Sequence, residues 1–113
     1  MTRTPQEIFE DHGHRLSTGD LDLISGNYAQ DANLITRDGI LRGREGVKQG
    51  IGRLLADLPD VDWALKPQFA DDVLLLEWSA IGPTVRVDDG VDTFVFRGGV
   101  IQTQTIRYTL VTA

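Results

Sequence analysis

The chain has 113 residues, of which 41% are hydrophobic and 25% charged, enough for one compact domain with a single apolar core. Its net charge is −6 and its cationic residues are scattered, which argues against nucleic acid and anionic membranes as partners. It contains no cysteine, so disulfides, thiolate nucleophiles and cysteine-bound metals are excluded. A cytoplasmic location is compatible with this composition and is the one we expect. Because the N-terminus is polar and the sequence contains no long apolar run, we expect no signal peptide and no membrane span.

Helix signals begin at the N-terminus. Thr4, Pro5 and Glu7 supply a cap, a first-turn proline and an acid in the N-terminal turn, as is typical of a helix start. They predict a helix from Pro5 to Thr18, which Gly19 ends.

Two further helices are predicted in the first half. The helical spacing of apolar residues after Asp20 predicts a short second helix from Leu21 to Tyr28. A third helix is predicted from Gly43 to Leu58, and a short strand from Asn33 to Thr36 lies between these two helices.

The second half changes to a period of two, which is typical of strands. Strands are predicted at Asp62–Phe69, Val73–Ile81 and Val85–Val87. The last part, Val91 to Thr109, predicts a β-hairpin because two runs rich in Val, Phe, Ile and Thr flank a Gly98-Gly99 turn. Helices first and strands second favour an α+β domain, with three helices packed on one face of a curved antiparallel sheet. Such a cone leaves room for a ligand between the two layers.

Asp92 is the first candidate functional residue. Alternate residues of a strand share a face, so Asp92 points the same way as Phe94 and Phe96. A buried acid must be protonated, paired or directed into a cavity. Asp92 is therefore either an acid held by neighbouring donors or an arginine, or a group that acts on a ligand.

His12 is the second candidate. It lies within the same apolar arc of the first helix as Ile8, Phe9 and Leu16, whereas His14 faces the other side. A buried neutral imidazole bonded to a backbone carbonyl or a carboxylate and a working acid–base group are both open. Two histidines two positions apart on a helix point away from each other, which disfavours a shared metal.

Strand parity places Glu77 and Trp78 on opposite faces of their strand without showing which face lines the cavity. We interpret Glu77 as a solvent or interface residue. Trp63 and Phe94 are candidates for lining the cavity, although core packing alone also explains them. No nucleotide-binding or hydrolase motif occurs in the sequence.

Several segments together resemble the NTF2-like superfamily, and most closely its SnoaL-like and ketosteroid-isomerase-like members. These segments are the Gly19-Asp20 turn, the run Tyr28 to Asn33, the Gly43-Arg44-Glu45-Gly46 helix start, and Asp92 to Phe96 followed by Gly99-Val100-Ile101. The resemblance spans residues 1–113 as a single domain and implies a cone-shaped, cystatin-like α+β fold.

The resemblance also implies roles for individual residues. Asp92 falls on the buried acid that donates to a substrate oxyanion in ketosteroid isomerases, and Tyr28 on a tyrosine of the supporting network. His12 stands in place of the principal oxyanion-hole tyrosine, and Thr36 in place of the aspartate that shuttles the proton. Threonine is not a base near neutral pH, so the steroid-isomerase reaction itself is not expected.

SnoaL-like cyclases use a pocket histidine or aspartate to remove a proton next to a carbonyl. By this resemblance we expect a cofactor-independent protein that binds an apolar carbonyl compound, with His12 as the acid–base group, Asp92 as its partner, and Tyr28, Thr36, Trp63 and Phe94 near the ligand. The alternative is a non-catalytic ligand-binding or dimerisation module. Epoxide hydrolysis ranks lowest because no second acid faces Asp92.

A homodimer through the open face of the sheet is expected as well. Alternating Thr103, Thr105, Arg107 and Thr109 suit such a face, and dimers are common in this superfamily.

Overall fold

Three helices pack against a sheet in the computed structural model, which describes residues 2–112. They are α1 (Pro5–Thr18), α2 (Leu21–Ser25) and α3 (Gly43–Asp57). Thr4 caps α1 by accepting a hydrogen bond from the Glu7 backbone N–H, while the Glu7 carboxylate accepts one from the Thr4 N–H. None of these helices is long and apolar enough to cross a membrane.

Within residues 2–112 there are seven strands: β1 (Tyr28–Thr36), β2 (Gly39–Arg42), β3 (Asp62–Ala70), β4 (Val73–Ile81), β5 (Val85–Arg97), β6 (Val100–Arg107) and β7 (Val111–Thr112). They form one curved sheet with the order β2-β1-β6-β5-β4-β3, and β7 pairs with β5. The register shifts within the β1–β6, β4–β5 and β5–β6 pairs. Such irregularities bend a sheet, and the helices cover its concave face.

The predicted hairpin is confirmed. Arg97 pairs with Val100 across Gly98 and Gly99, whose φ angles are 60° and 82°. A two-residue turn with positive φ at both positions matches the twist of the flanking strands. Two glycines meet this requirement without strain.

Several details differ from the sequence-based expectation. The predicted strand Val85–Val87 is not separate but is the start of β5, and the second strand of the hairpin ends at Arg107 instead of Thr109. The first strand is longer than predicted. The α2 helix ends at Ser25, and Tyr28 starts β1 instead of ending a helix. Gly26 and Asn27 stop the helix, and the Asn27 carbonyl accepts a bond from the Ile101 N–H at 2.8 Å, which draws the chain into the sheet. As a result β1 runs parallel to β6, so the α+β fold has a mixed sheet.

The convex face of the sheet points away from the helices. It carries Val73 and Leu75, which are 41% and 40% exposed. Leu75 pairs with Thr93, and Thr93 with Thr105, so these side chains form one continuous surface. Glu77 is exposed on the same face, as expected, and Thr109 lies beyond the end of β6.

The β2–α3 junction generates a prediction about stability. A Cβ at Gly46 would lie 2.8 Å from the carbonyl carbon of Leu41, which is backbone and cannot rotate away. We expect Gly46→Ala to lower the free energy of unfolding by about 1–3 kcal/mol through overpacking. Gly13 in α1 has nothing within 4 Å of its added Cβ, so Gly13→Ala should raise it by up to about 1 kcal/mol. Urea unfolding of the two variants measures both signs, and a Gly46→Ala protein as stable as the wild type would contradict the packing described here.

Candidate functional site

A cavity of about 390 Å³ lies between α1, α3 and the concave face of the sheet. Its walls are mostly apolar, and its polar side chains include one acid and one imidazole from the interior. The lining residues are Phe9, Glu10, His12, Gly13, Leu16, Ser17, Ile51, Leu54, Leu55, Trp63, Leu65, Leu76, Trp78, Asp92, Phe94 and Gln104. This volume lies within the range of small-molecule sites.

The mouth of the cavity lies along the edge strand β3. Trp63 and Leu65 point to the concave face, opposite Ala80 and Trp78, yet they are 44% and 49% exposed. The helices therefore leave part of this inner surface uncovered. Large apolar groups that line an open concave surface are typical of a ligand-binding site.

Asp92 lies in the inner wall with only 5% of its surface exposed. The Trp78 indole N–H donates to one carboxylate oxygen at 2.9 Å, and the Gln104 amide donates to the other at 3.0 Å. Burial raises the pKa of Asp92 to about 6, although both hydrogen bonds oppose this rise. The carboxyl group therefore changes its protonation state close to neutral pH.

Trp78 reaches Asp92 because its strand neighbour is a glycine. Gly90 pairs with Trp78 across the β4–β5 ladder. A Cβ at Gly90 would lie too close to the Cδ2 atom of the Trp78 indole for both to fit. The indole also packs against Trp63 and Tyr108, with ring centroids 5.3 and 5.5 Å away. These contacts hold the N–H in line with the carboxylate.

His12 is buried, as predicted, and both of its ring nitrogens have partners. Nδ1 lies 3.4 Å from Asn27 Nδ2, and Nε2 lies 3.3 Å from the Tyr28 hydroxyl. Burial, with the positive charge of Arg15, lowers the pKa of His12 to about 4. The imidazole is therefore neutral at physiological pH.

Tyr28 and Gln104 connect the imidazole to the acid. The Tyr28 hydroxyl donates to Gln104 Oε1, and the Gln104 amide donates to Asp92. Burial, and then the nearby Asp92 charge, raises the pKa of Tyr28 far above its usual value. His12 and Asp92 thus belong to one network, joined through two intervening side chains.

The remaining candidates are divided by the fold. Phe94 and Trp63 line the cavity, whereas Tyr28 lies behind its wall. Thr36 lies apart, in a second depression of about 280 Å³, and its hydroxyl donates to the Gly39 carbonyl of the β1–β2 turn. In the part of the chain described, no group of three His, Cys, Asp or Glu side chains is arranged to hold a metal.

Sequence reasoning missed Gln104 and Asn27, and left the face of Trp78 open. The alternation of Thr103 and Thr105 on the convex face contained a usable signal, because the residue between them must point inward. Asn27 gave no such signal, since it lies between a helix and a strand.

These features define a class of protein: a cone-shaped α+β domain with an apolar cavity and one buried acid. Similar folds occur in solved structures. An uncharacterised cystatin-fold protein from Novosphingobium aromaticivorans is 18% identical with a TM-score of 0.74, over 93% of this chain and 98% of that one. An NTF2-like protein from Cytophaga hutchinsonii is 10% identical with a TM-score of 0.73, over 96% of this chain and 93% of that one.

A third structure is an epoxide hydrolase/cyclase-like enzyme, SalBIII, described in pyran ring formation in the polyether salinomycin. It is 16% identical with a TM-score of 0.75, over 96% of this chain and 95% of that one. The sequence search of curated proteins finds no match. The family model of the SnoaL-like domain matches residues 9–103, and the chain belongs to this family.

The buried His12 generates a prediction about stability and pH. Its folded pKa of about 4 lies below the value of about 6.5 in an unfolded chain. Between these two values only the unfolded chain binds the proton, so His12 removes stability as the pH falls, by on the order of 3 kcal/mol in total. As the pH is lowered from about 7 to about 4, we expect the free energy of unfolding of the wild type to fall relative to that of His12→Gln, by on the order of 3 kcal/mol.

Urea unfolding across that pH range measures the shift. Asp92 shares a hydrogen-bonded network with His12, so the comparison is repeated in the Asp92→Asn background, where Asp92 does not titrate. His14→Gln, on the exposed side of the same helix, is the control and should track the wild type. A His12→Gln difference that is constant with pH would show that the imidazole titrates normally in the folded chain.

Proposed function

We propose that this chain binds an apolar, carbonyl-bearing small molecule in the cavity and transfers a proton on it, with Asp92 as the acid–base group. The observation that carries the proposal is the buried carboxyl group of Asp92 in the wall of a mostly apolar cavity. Its pKa of about 6 is suited to general acid–base chemistry, because such a group is most effective when its pKa lies near the working pH.

The contacts of Asp92 leave it free to act. One carboxylate oxygen accepts a hydrogen bond from Trp78 and the other accepts one from Gln104. Each oxygen retains a second acceptor site. The ionised form can take a proton from a carbon next to a carbonyl group. The protonated form can donate to the carbonyl oxygen.

From the sequence alone, His12 is the expected proton-transfer group and Asp92 its partner. The contacts favour the reverse assignment, because both His12 ring nitrogens already have protein partners and its pKa of about 4 makes it a weak base. In this proposal His12 supports Asp92 through Tyr28 and Gln104.

The open cavity also favours ligand binding over a filled, purely structural core. Collapse of Trp63, Phe94 and Phe96 into the space would have favoured a dimerisation module without a ligand. Trp63 is instead 44% exposed at the mouth. Phe94 lines the cavity, and its ring stacks on Phe96 with centroids 6.1 Å apart.

Epoxide hydrolysis has less support. The acids that line the cavity are Glu10, exposed on α1, and Asp92. No arginine is among the lining residues of the described chain, whereas an acid-arginine-acid arrangement around a water is the pattern expected from related hydrolases.

Exchange of the protons next to the carbonyl of β-tetralone tests the proposal. Binding is followed by the fluorescence of Trp63 and Trp78, and exchange in D₂O by proton NMR. We expect the wild type to bind and to accelerate exchange, with a rate that rises with pH through about 6 because the base is the ionised Asp92. Asp92→Asn should lose about 10²-fold or more of that rate.

Asp88→Asn is the matched control, since Asp88 lies on the same strand but is exposed. It should exchange protons at the wild-type rate. Equal rates in Asp92→Asn and the wild type would exclude Asp92 as the base. A wild type that binds the ketone without accelerating exchange would support the non-catalytic binding module instead.

We also propose that the convex sheet face pairs with a second copy of the chain. Exposed Leu75 and Val73 lie on this face, and one row across three strands contains Glu77, Val91 and Arg107, so a two-fold arrangement can place acid against base. Leu75→Glu should convert a dimer into a monomer in sedimentation at micromolar concentration. Leu23→Glu, at a similarly exposed leucine on α2, should not, and a monomeric wild type would refute the pairing.

A further inference from the structure

A hydrogen-bonded chain runs from the surface to the buried acid. At its outer end the Arg3 guanidinium donates to Asn27 Oδ1 at 3.0 Å, and Asn27 Nδ2 lies 3.4 Å from His12 Nδ1. His12 Nε2 lies 3.3 Å from the Tyr28 hydroxyl, from which the chain continues through Gln104 to Asp92.

The outer end fixes the direction of this chain. A guanidinium has only donors, so Asn27 must turn its oxygen toward Arg3 and its NH₂ toward His12. His12 Nδ1 must then accept. Because a neutral imidazole carries one proton, that proton lies on Nε2 and is donated to Tyr28.

The inner end fixes the same direction independently. An ionised carboxylate only accepts, so Gln104 must present its NH₂ to Asp92 and its oxygen to the Tyr28 hydroxyl. Tyr28 then has its lone pairs left for His12 Nε2–H. All donors therefore point from Arg3 toward Asp92.

We propose that Arg3 and Asn27 are positioning residues for Asp92: they fix His12 in its Nε2–H tautomer, and so align the chain with the ionised form of the acid. A proton on Asp92 Oδ2 that is directed at Gln104 reverses the preference of the inner end but not of the outer end. The two halves then oppose each other. This inference concerns the ligand-free protein and holds whether or not the cavity is catalytic.

Other charged groups surround the outer end. Asp11 accepts from Arg3 at 3.1 Å and from Arg15 at 2.8 Å. Desolvation raises the pKa of Asp11, but the charges of Arg15 and Arg3 help to outweigh it, so the pKa of Asp11 is lowered. Asp11 is therefore a negative charge beside Arg3 that helps to hold the guanidinium at the outer end. Glu10 lies at the cavity mouth on the same helix.

The Gly99 carbonyl holds Arg3 in place. It accepts from the same guanidinium nitrogen at 3.0 Å, so the β5–β6 hairpin turn fixes the group that orients Asn27. Arg15 is a matched comparison, because it also binds Asp11 but donates its other hydrogen bond to the Leu23 carbonyl. Arg15 makes no contact with the Asn27 amide among the hydrogen bonds of residues 2–112.

The ¹⁵N resonances of the His12 ring test the proposal, because protonated and unprotonated ring nitrogens have widely separated shifts. The His14→Gln background leaves His12 as the sole histidine. At about pH 8 histidine is neutral, and the wild-type ring is expected as Nε2–H. Asn27→Leu should keep that tautomer, since the ionised Asp92 still demands it.

Asp92→Asn mimics the protonated acid, because its NH₂ must face Gln104 once its oxygen accepts from Trp78. The expected result is a mixture of tautomers, with the two ends opposed. The double variant Asp92→Asn with Asn27→Leu should reverse to Nδ1–H. A wild type in the Nδ1–H form, or a double variant that stays in the Nε2–H form, would overturn the proposal.

Arg3 is tested separately in the Asp92→Asn protein, which avoids relying on a substitution at the fully buried Asn27. Adding Arg3→Met should increase the Nδ1–H population severalfold, whereas adding Arg15→Met should leave it unchanged. If the two substitutions changed the Nδ1–H population equally, Arg3 would act only through its charge, and its positioning role would be overturned.

Discussion

The buried carboxyl group of Asp92 is the constraint on which the site depends. A charge removed from water is stable only when hydrogen bonds replace its hydration. The sheet supplies these from both neighbouring strands, with an indole from β4 and an amide from β6. The indole can lie there only because Gly90 leaves its space free, so a backbone feature of β5 determines the environment of an acid two residues further on.

Burial has opposite effects on the pKa values of His12 and Asp92. It disfavours charge on both, so it lowers the pKa of His12 and raises that of Asp92. The imidazole is therefore a neutral, hydrogen-bonding component, while the carboxyl group changes protonation near neutral pH. The network therefore has a neutral end and a titratable end, and this difference follows from desolvation together with the number of partners each group has.

The fold alone does not account for these roles. A cone formed by a bent sheet and covering helices follows from general packing rules. What distinguishes this chain is the set of polar side chains it places on the concave face, and function must be argued from them.

Local signals in the sequence determined much of the architecture. The cap at Thr4, the Gly98-Gly99 turn and the alternation around Asp92 each act within a few residues, and they gave α1, the hairpin and the inward direction of the acid. The α2 end and the parallel β1–β6 pairing were beyond such signals, because Tyr28 has helical spacing and joins the sheet only through residues near position 101. The hydrogen-bond partners within the site were decided by the tertiary structure for the same reason. Tyr28 and Gln104 are 76 residues apart in the sequence, and Arg3 and Asn27 are 24 residues apart. Which donor faces which acceptor depends on register, bulges and the space left by glycine, and these are properties of the folded chain as a whole.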